Sequence, residues 1–166
     1  IYLFSSQDSD RLPILTAHEV SHQWWYSAVG NDVFLEPWLD EALAQYSALV
    51  FLEEMEGEEA MQRYLRDYEE DIDRLEVLHG TSFPVGSSVW EFAPNGENYY
   101  EVIYYKGPMF LHALRLEIGD EAFFSGMRKP CNGHPAGICV ILWKNGLGRL
   151  EADLAGDDRS RSVSVL

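Results

Sequence analysis

Apolar positions recur at helical spacing over most of this chain, and five helices follow from them. From about Pro13 to Val29 the pattern reads as one helix, with Pro13 in its first turn and Gly30 just past its end. A loop over residues 31–36 leads to a second helix, which Pro37 opens and Gly57 stops. There Leu39, Ala42, Leu43, Tyr46 and Leu49 share a face, and Trp38, Gln45, Ala48 and Leu52 widen it. So broad an apolar surface predicts burial. The third helix runs from about Glu58 to Leu78, with Met61, Tyr64, Leu65, Tyr68, Ile72 and Leu75 in register. Its other face carries Asp67, Glu69, Glu70, Asp71 and Asp73 and is expected to face water. Residues 80–98 are rich in Gly, Pro, Ser and aromatics and predict irregular structure. A fourth helix spans about Lys106–Ile118. Gly119-Asp120 ends it and caps a fifth, to about Met127. Residues 1–11 read as an extended lead-in, and no internal repeat is present.

The first helix carries chemistry. His18-Glu19-Val20-Ser21-His22 reads HExxH, and Glu41 follows eighteen residues after it. Positions four apart lie one turn apart on the same helix face, so His18 and His22 can aim two imidazoles at one point. Zinc accepts imidazole nitrogen at ~2.0–2.1 Å and carboxylate oxygen at ~2.0–2.2 Å. His18, His22 and Glu41 are therefore a candidate ligand set for one Zn2+ per chain. Three protein ligands leave a fourth position for water, which separates a catalytic zinc from a structural one. Glu19 is placed to take a proton from that water. By chance HExxH arises in roughly one chain in two hundred of this length, and a glutamate at this spacing lowers that to about one in a few thousand. Glu41 also falls within the apolar second helix, where a carboxylate is costly unless paired or metal-bound.

Composition narrows the partners. Hydrophobic residues make up 46% of the 166, enough for a globular core. The net charge of −16 argues against nucleic acid as a partner, since phosphate binding needs Lys and Arg. An acidic field weakly favours cationic ligands such as a peptide's free amino end, although solvated acidic helix faces account for most of the charge. No apolar run reaches the ~20 residues of a membrane span. The chain lacks an initial Met and a signal peptide, and Ile1 lies close before His18; it reads as a piece of a longer protein, whose remainder is an expected partner. Localisation is left open. Cys131 and Cys139 match no metal motif and do not settle the redox compartment.

Three segments together carry a family resemblance: His-Glu-Val-Ser-His-Gln-Trp-Trp (18–25), Glu-Pro-Trp-Leu-Asp-Glu-Ala (36–42) and Tyr-Tyr-Lys-Gly-Pro (104–108). In this order they resemble the HExxHxW, WLNEG-like and Tyr-x-Lys-Gly motifs of the gluzincin aminopeptidases, the family of aminopeptidase N and the leukotriene-type epoxide hydrolases. The resemblance covers about residues 15–127. It implies a mostly α fragment: the helical half of a thermolysin-like zinc metallopeptidase catalytic domain, α+β in the full enzyme. It further implies that His18, His22 and Glu41 bind zinc, that Glu19 is the general base, and that Tyr104 donates a hydrogen bond to the transition-state oxyanion. Tyr99 matches a second tyrosine of some members. The implied substrate is a peptide, cleaved at its amino end. A zinc-binding fragment without turnover and a hydrolase of non-peptide substrates are the alternatives.

Departures accompany the match. Asp40 and Ala42 stand where the family often has Asn and Gly. Asp40 is either a partner to a histidine or substrate amine, or a capping acid. The family's Gly-x-Met-Glu-Asn segment is absent from this chain. Residues 1–127 carry 24 of the 28 acids and 6 of the 12 bases, whereas the remainder is slightly basic and glycine-rich. The expected division is a catalytic-domain fragment over 1–129 and a divergent or loosely packed tail over 130–166, from a shifted reading frame or a divergent end. Trp24, Trp25 and Trp38 are expected to pack around the zinc helices. His79, His112 and His134 are expected to be ordinary surface or core histidines.

Overall fold

The computed structural model describes residues 11–79, 83–92 and 98–128. It divides into two units, 1–123 and 124–166, and the described part of the second is the end of one helix. Residues 1–10 of the expected lead-in, both cysteines, His134 and the 130–166 tail lie outside the described residues. Within them the chain is mostly helical and contains no strand.

Among the described residues there are five α-helices: α1 (Leu12–Ser21), α2 (Glu41–Glu56), α3 (Glu58–His79), α4 (Gly107–Ile118) and α5 (Asp120–Arg128). α2 is the axis of the first unit, packing on α1, α3 and α4. Its sequence explains this place: Ala42, Leu43, Ala44, Tyr46, Ala48, Leu49 and Leu52 are all buried, over more than one face. Each large apolar side chain so buried contributes roughly 1.5–3 kcal/mol relative to exposure. Gly57 ends α2 at φ 95, a left-handed backbone that glycine adopts without a Cβ penalty, and α3 starts at the next residue. α3 buries Ala60, Met61, Leu65 and Tyr68, while Asp67, Glu69, Glu70 and Asp73 on its other side are exposed, as its periodicity predicts.

Three helix boundaries differ from expectation. The first helix stops at Ser21 rather than Val29. Beyond it the Tyr26 N–H bonds the Val29 carbonyl and the Val29 N–H bonds the Trp24 carbonyl, a tight turn that places Tyr26 at φ 76. Buried Trp25 pins this turn, its indole N–H donating to Ser47 Oγ of α2 at 2.9 Å. The second helix is split: Pro37–Leu39 form a 3-10 turn, and the α-helix begins at Glu41. The fourth begins earlier than Lys106. Tyr99 and Tyr100 are already helical, and Glu101–Lys106 form a π-helical stretch running into α4. Where described, residues 83–92 are irregular apart from a 3-10 turn at Val89–Phe92.

Candidate metal centre

α1 and α2 bring the three expected ligands to one point. His18 lies in the last turn of α1 and His22 is its C-terminal cap residue. Glu41 is the first residue of α2 rather than an interior one, and a helix N-terminus favours a carboxylate. The two histidine Nε2 atoms are 3.1 Å apart, and each lies 3.3 Å from Glu41 Oε2. A tetrahedral zinc with ~2.05 Å bonds separates its ligand atoms by about 3.3 Å, so the triangle has the size such an ion needs.

Proton bookkeeping points the same way. One proton at most fits between the two Nε2 atoms. Glu41 Oε2, buried beside both, has no hydrogen-bond partner. Leaving such atoms unsatisfied costs about 1–3 kcal/mol each, more when charged. A cation at the centre satisfies the two imidazoles and the carboxylate together, so the donor set fits zinc. Among the described residues this is the one group of three or more such side chains able to hold a metal.

Burial pushes the Glu41 carboxyl up, but the His18 side chain, the Tyr104 hydroxyl and the charge of His22 outweigh it and hold it below the usual carboxylate range. Tyr104, on the π-helical stretch, lies beside the same carboxyl, and its ring is 5.8 Å from that of His18. Burial first, then the Glu41 charge, raises its pKa far above that of a free tyrosine, so the hydroxyl stays a proton donor at neutral pH. Tyr100 stacks on Tyr104 at 4.7 Å, and Tyr99 meets it edge-on at 6.4 Å. Tyr99 also packs on Phe92, at 5.4 Å. Glu19 is exposed on α1, next to His18.

Asn31 carried no motif and was expected only as loop. Its side-chain amide donates to the Glu36 carbonyl and to Asp40 Oδ1, both at 2.9 Å, folding the loop onto the residue before Glu41. Asp40 is buried, and burial raises its carboxyl above the usual range despite that bond. An Asn–Asp pair nine residues apart has no distinctive sequence signal. Trp25 and Trp38 are buried as expected, whereas Trp24 is 46% exposed. His112 is a half-buried, hydrogen-bonded histidine, between Tyr46 Oη at 3.2 Å and Gln62 Nε2 at 3.3 Å.

Helices around an HExxH segment completed by a distant glutamate define a class of peptidases, and the family comparison agrees. Residues 3–138 match the model of the peptidase family M1 domain. The chain belongs to peptidase family M1. It is 31% identical to human aminopeptidase O over 133 residues, covering 68% of this chain and 16% of that protein. To human endoplasmic reticulum aminopeptidase 1 it is 29% identical over 117 residues, covering 70% and 12%. To aminopeptidase N of Lactococcus lactis subsp. lactis it is 24% identical over 147 residues, covering 77% and 16%. The chain thus spans between 12% and 16% of the length of these relatives. No solved structure matches it.

Proposed function

We propose that this chain carries the metal-binding and proton-transfer groups of a zinc aminopeptidase. The observation that carries the reading is the triangle of His18, His22 and Glu41, with a buried carboxylate oxygen at its apex that no proton satisfies. When bound there, zinc supplies Lewis acidity, lowering the pKa of a water toward ~7 and polarising a carbonyl oxygen. The rest falls to side chains. His18, His22 and Glu41 hold the ion. Glu19 accepts the proton of the attacking water and passes it to the leaving amine. Tyr104, kept protonated by its surroundings, donates to the oxygen on which negative charge develops. Glu41 sits below the usual carboxylate range and so stays ionised as a ligand at neutral pH. Action at the amino end follows the names of the relatives and suits an acidic chain, which attracts an ammonium group.

The test is hydrolysis of amino-acid anilides, assayed in this chain and in any longer protein that contains it. A substrate with a free amino end is cleaved and its N-acetylated form is not. Glu19→Gln keeps zinc and loses ~10²–10⁴-fold in kcat, as expected on removing a general base. Equal cleavage of both substrates would exclude the aminopeptidase reading, and undiminished turnover in Glu19→Gln would remove Glu19 from its role.

A further inference from the structure

Gly107 is the first residue of α4 and follows the π-helical stretch directly. Its φ of −57 and ψ of −56 are ordinary helix values, so backbone freedom does not explain a glycine here. Space does. A Cβ built on Gly107 would lie 2.5 Å from the Cβ of Ala42, well inside van der Waals contact. Ala42 is wholly buried and cannot swing aside, since a methyl has no rotamers to change. The remaining neighbours of that added carbon are comfortable: the Val102 carbonyl oxygen at 3.6 Å and Ala42 Cα at 3.7 Å. The junction therefore has room for one methyl group, and Ala42 supplies it.

The two residues flank the site. Ala42 follows Glu41 on the first turn of α2, and Gly107 lies three residues after Tyr104. This contact holds the π-helical stretch against the start of α2, where the Tyr104 ring lies 5.8 Å from that of His18, whose Nε2 is 3.3 Å from Glu41 Oε2. Resting on the metal-centre reading above, we infer that Gly107 is a positioning residue: its missing side chain, packed on Ala42, sets the approach of Tyr104 to the zinc ligand Glu41. A second methyl would wedge the elements apart and withdraw the tyrosine. The π-helical geometry of Glu101–Lys106 fits this setting, since such stretches occur frequently at functional sites.

The prediction is a reciprocal swap. Zinc affinity is measured by competition with a chelator, at a temperature where circular dichroism shows each variant folded. Gly107→Ala lowers affinity by about 10–100-fold, the usual cost of disturbing a group that orients a metal ligand. Ala42→Gly alone leaves it near the wild-type value, and the double variant Ala42→Gly/Gly107→Ala returns to that value because the single methyl has only changed sides. In a Tyr104→Phe background, Gly107→Ala costs less than about twofold more, since its effect runs through the tyrosine hydroxyl. If Gly107→Ala does not fold, a folded, tightly zinc-binding double variant supports the inference. A double variant that fails to fold, or binds zinc more weakly than wild type, overturns it, as does an indifferent Gly107→Ala or a full additional loss in the Tyr104→Phe background. A wild-type chain without zinc would instead overturn the metal-centre reading itself, and this inference with it.

Discussion

Tyr104 shows how environment assigns a role to a side chain. Its hydroxyl lies against Glu41 in a half-buried setting, with Tyr100 stacked on its ring, and both burial and negative charge oppose its ionisation. A phenol so placed is a donor and not a base. Tyr104→Phe removes one oxygen and leaves the ring stack in place. Turnover of an amino-acid anilide is expected to fall ~10²–10³-fold in kcat, the cost of one preorganised donor to an oxyanion. The melting temperature should move little, because a single hydrogen bond contributes about 1 kcal/mol net. An unchanged kcat would show that the hydroxyl serves Glu41 alone. The meeting of His18, His22 and Glu41 was legible in the sequence from residue type and spacing, whereas Tyr104 entered only through the family resemblance. Asn31 was not legible: its contribution is two hydrogen bonds across a loop, which any polar loop residue can make.

Helix existence followed from periodicity, whereas helix ends did not, and the reasons are specific. α1 stops without glycine or proline at its end. The turn that stops it depends on Trp25 reaching Ser47, a contact 22 residues distant, and on a tyrosine tolerating positive φ. The stretch Glu101–Lys106 departs from the 3.6-residue period itself, so a pattern search at that period starts the helix too late. A third element-level feature lies between α2, α3 and α4, where His112 meets Tyr46 and Gln62. Burial pushes the His112 pKa below its ordinary 6.5, with Arg115 acting in the same direction, while Glu53, Glu58 and Asp120 oppose. The folded state therefore prefers the neutral ring. The associated stability is fully present above the unfolded value of about 6.5 and is lost as pH falls from there through the lower folded value. Melting curves should show wild type losing stability below about pH 6.5 more steeply than His112→Asn, and parallel curves would remove His112 as the cause.

With a net charge of −16 the whole chain repels itself. Screening shortens that repulsion to about 10 Å at 0.1 M salt, so the melting temperature should rise as sodium chloride is raised from low concentration to about that level. A fall would mean that attractive pairs outweigh the excess of acids. Family membership and the helical architecture emerge at this level from agreement among parts. Three sequence segments, far apart along the chain, meet around the start of α2, and the family comparison spans all of them. No helix among the described residues is long and apolar enough to cross a membrane. If the meeting point is a zinc site, elemental analysis of the purified chain beside its Glu41→Ala variant will reveal it. The expected result is about one zinc per wild-type chain and almost none in the variant. Absence of zinc from the wild-type chain, or equal zinc in both, would contradict it.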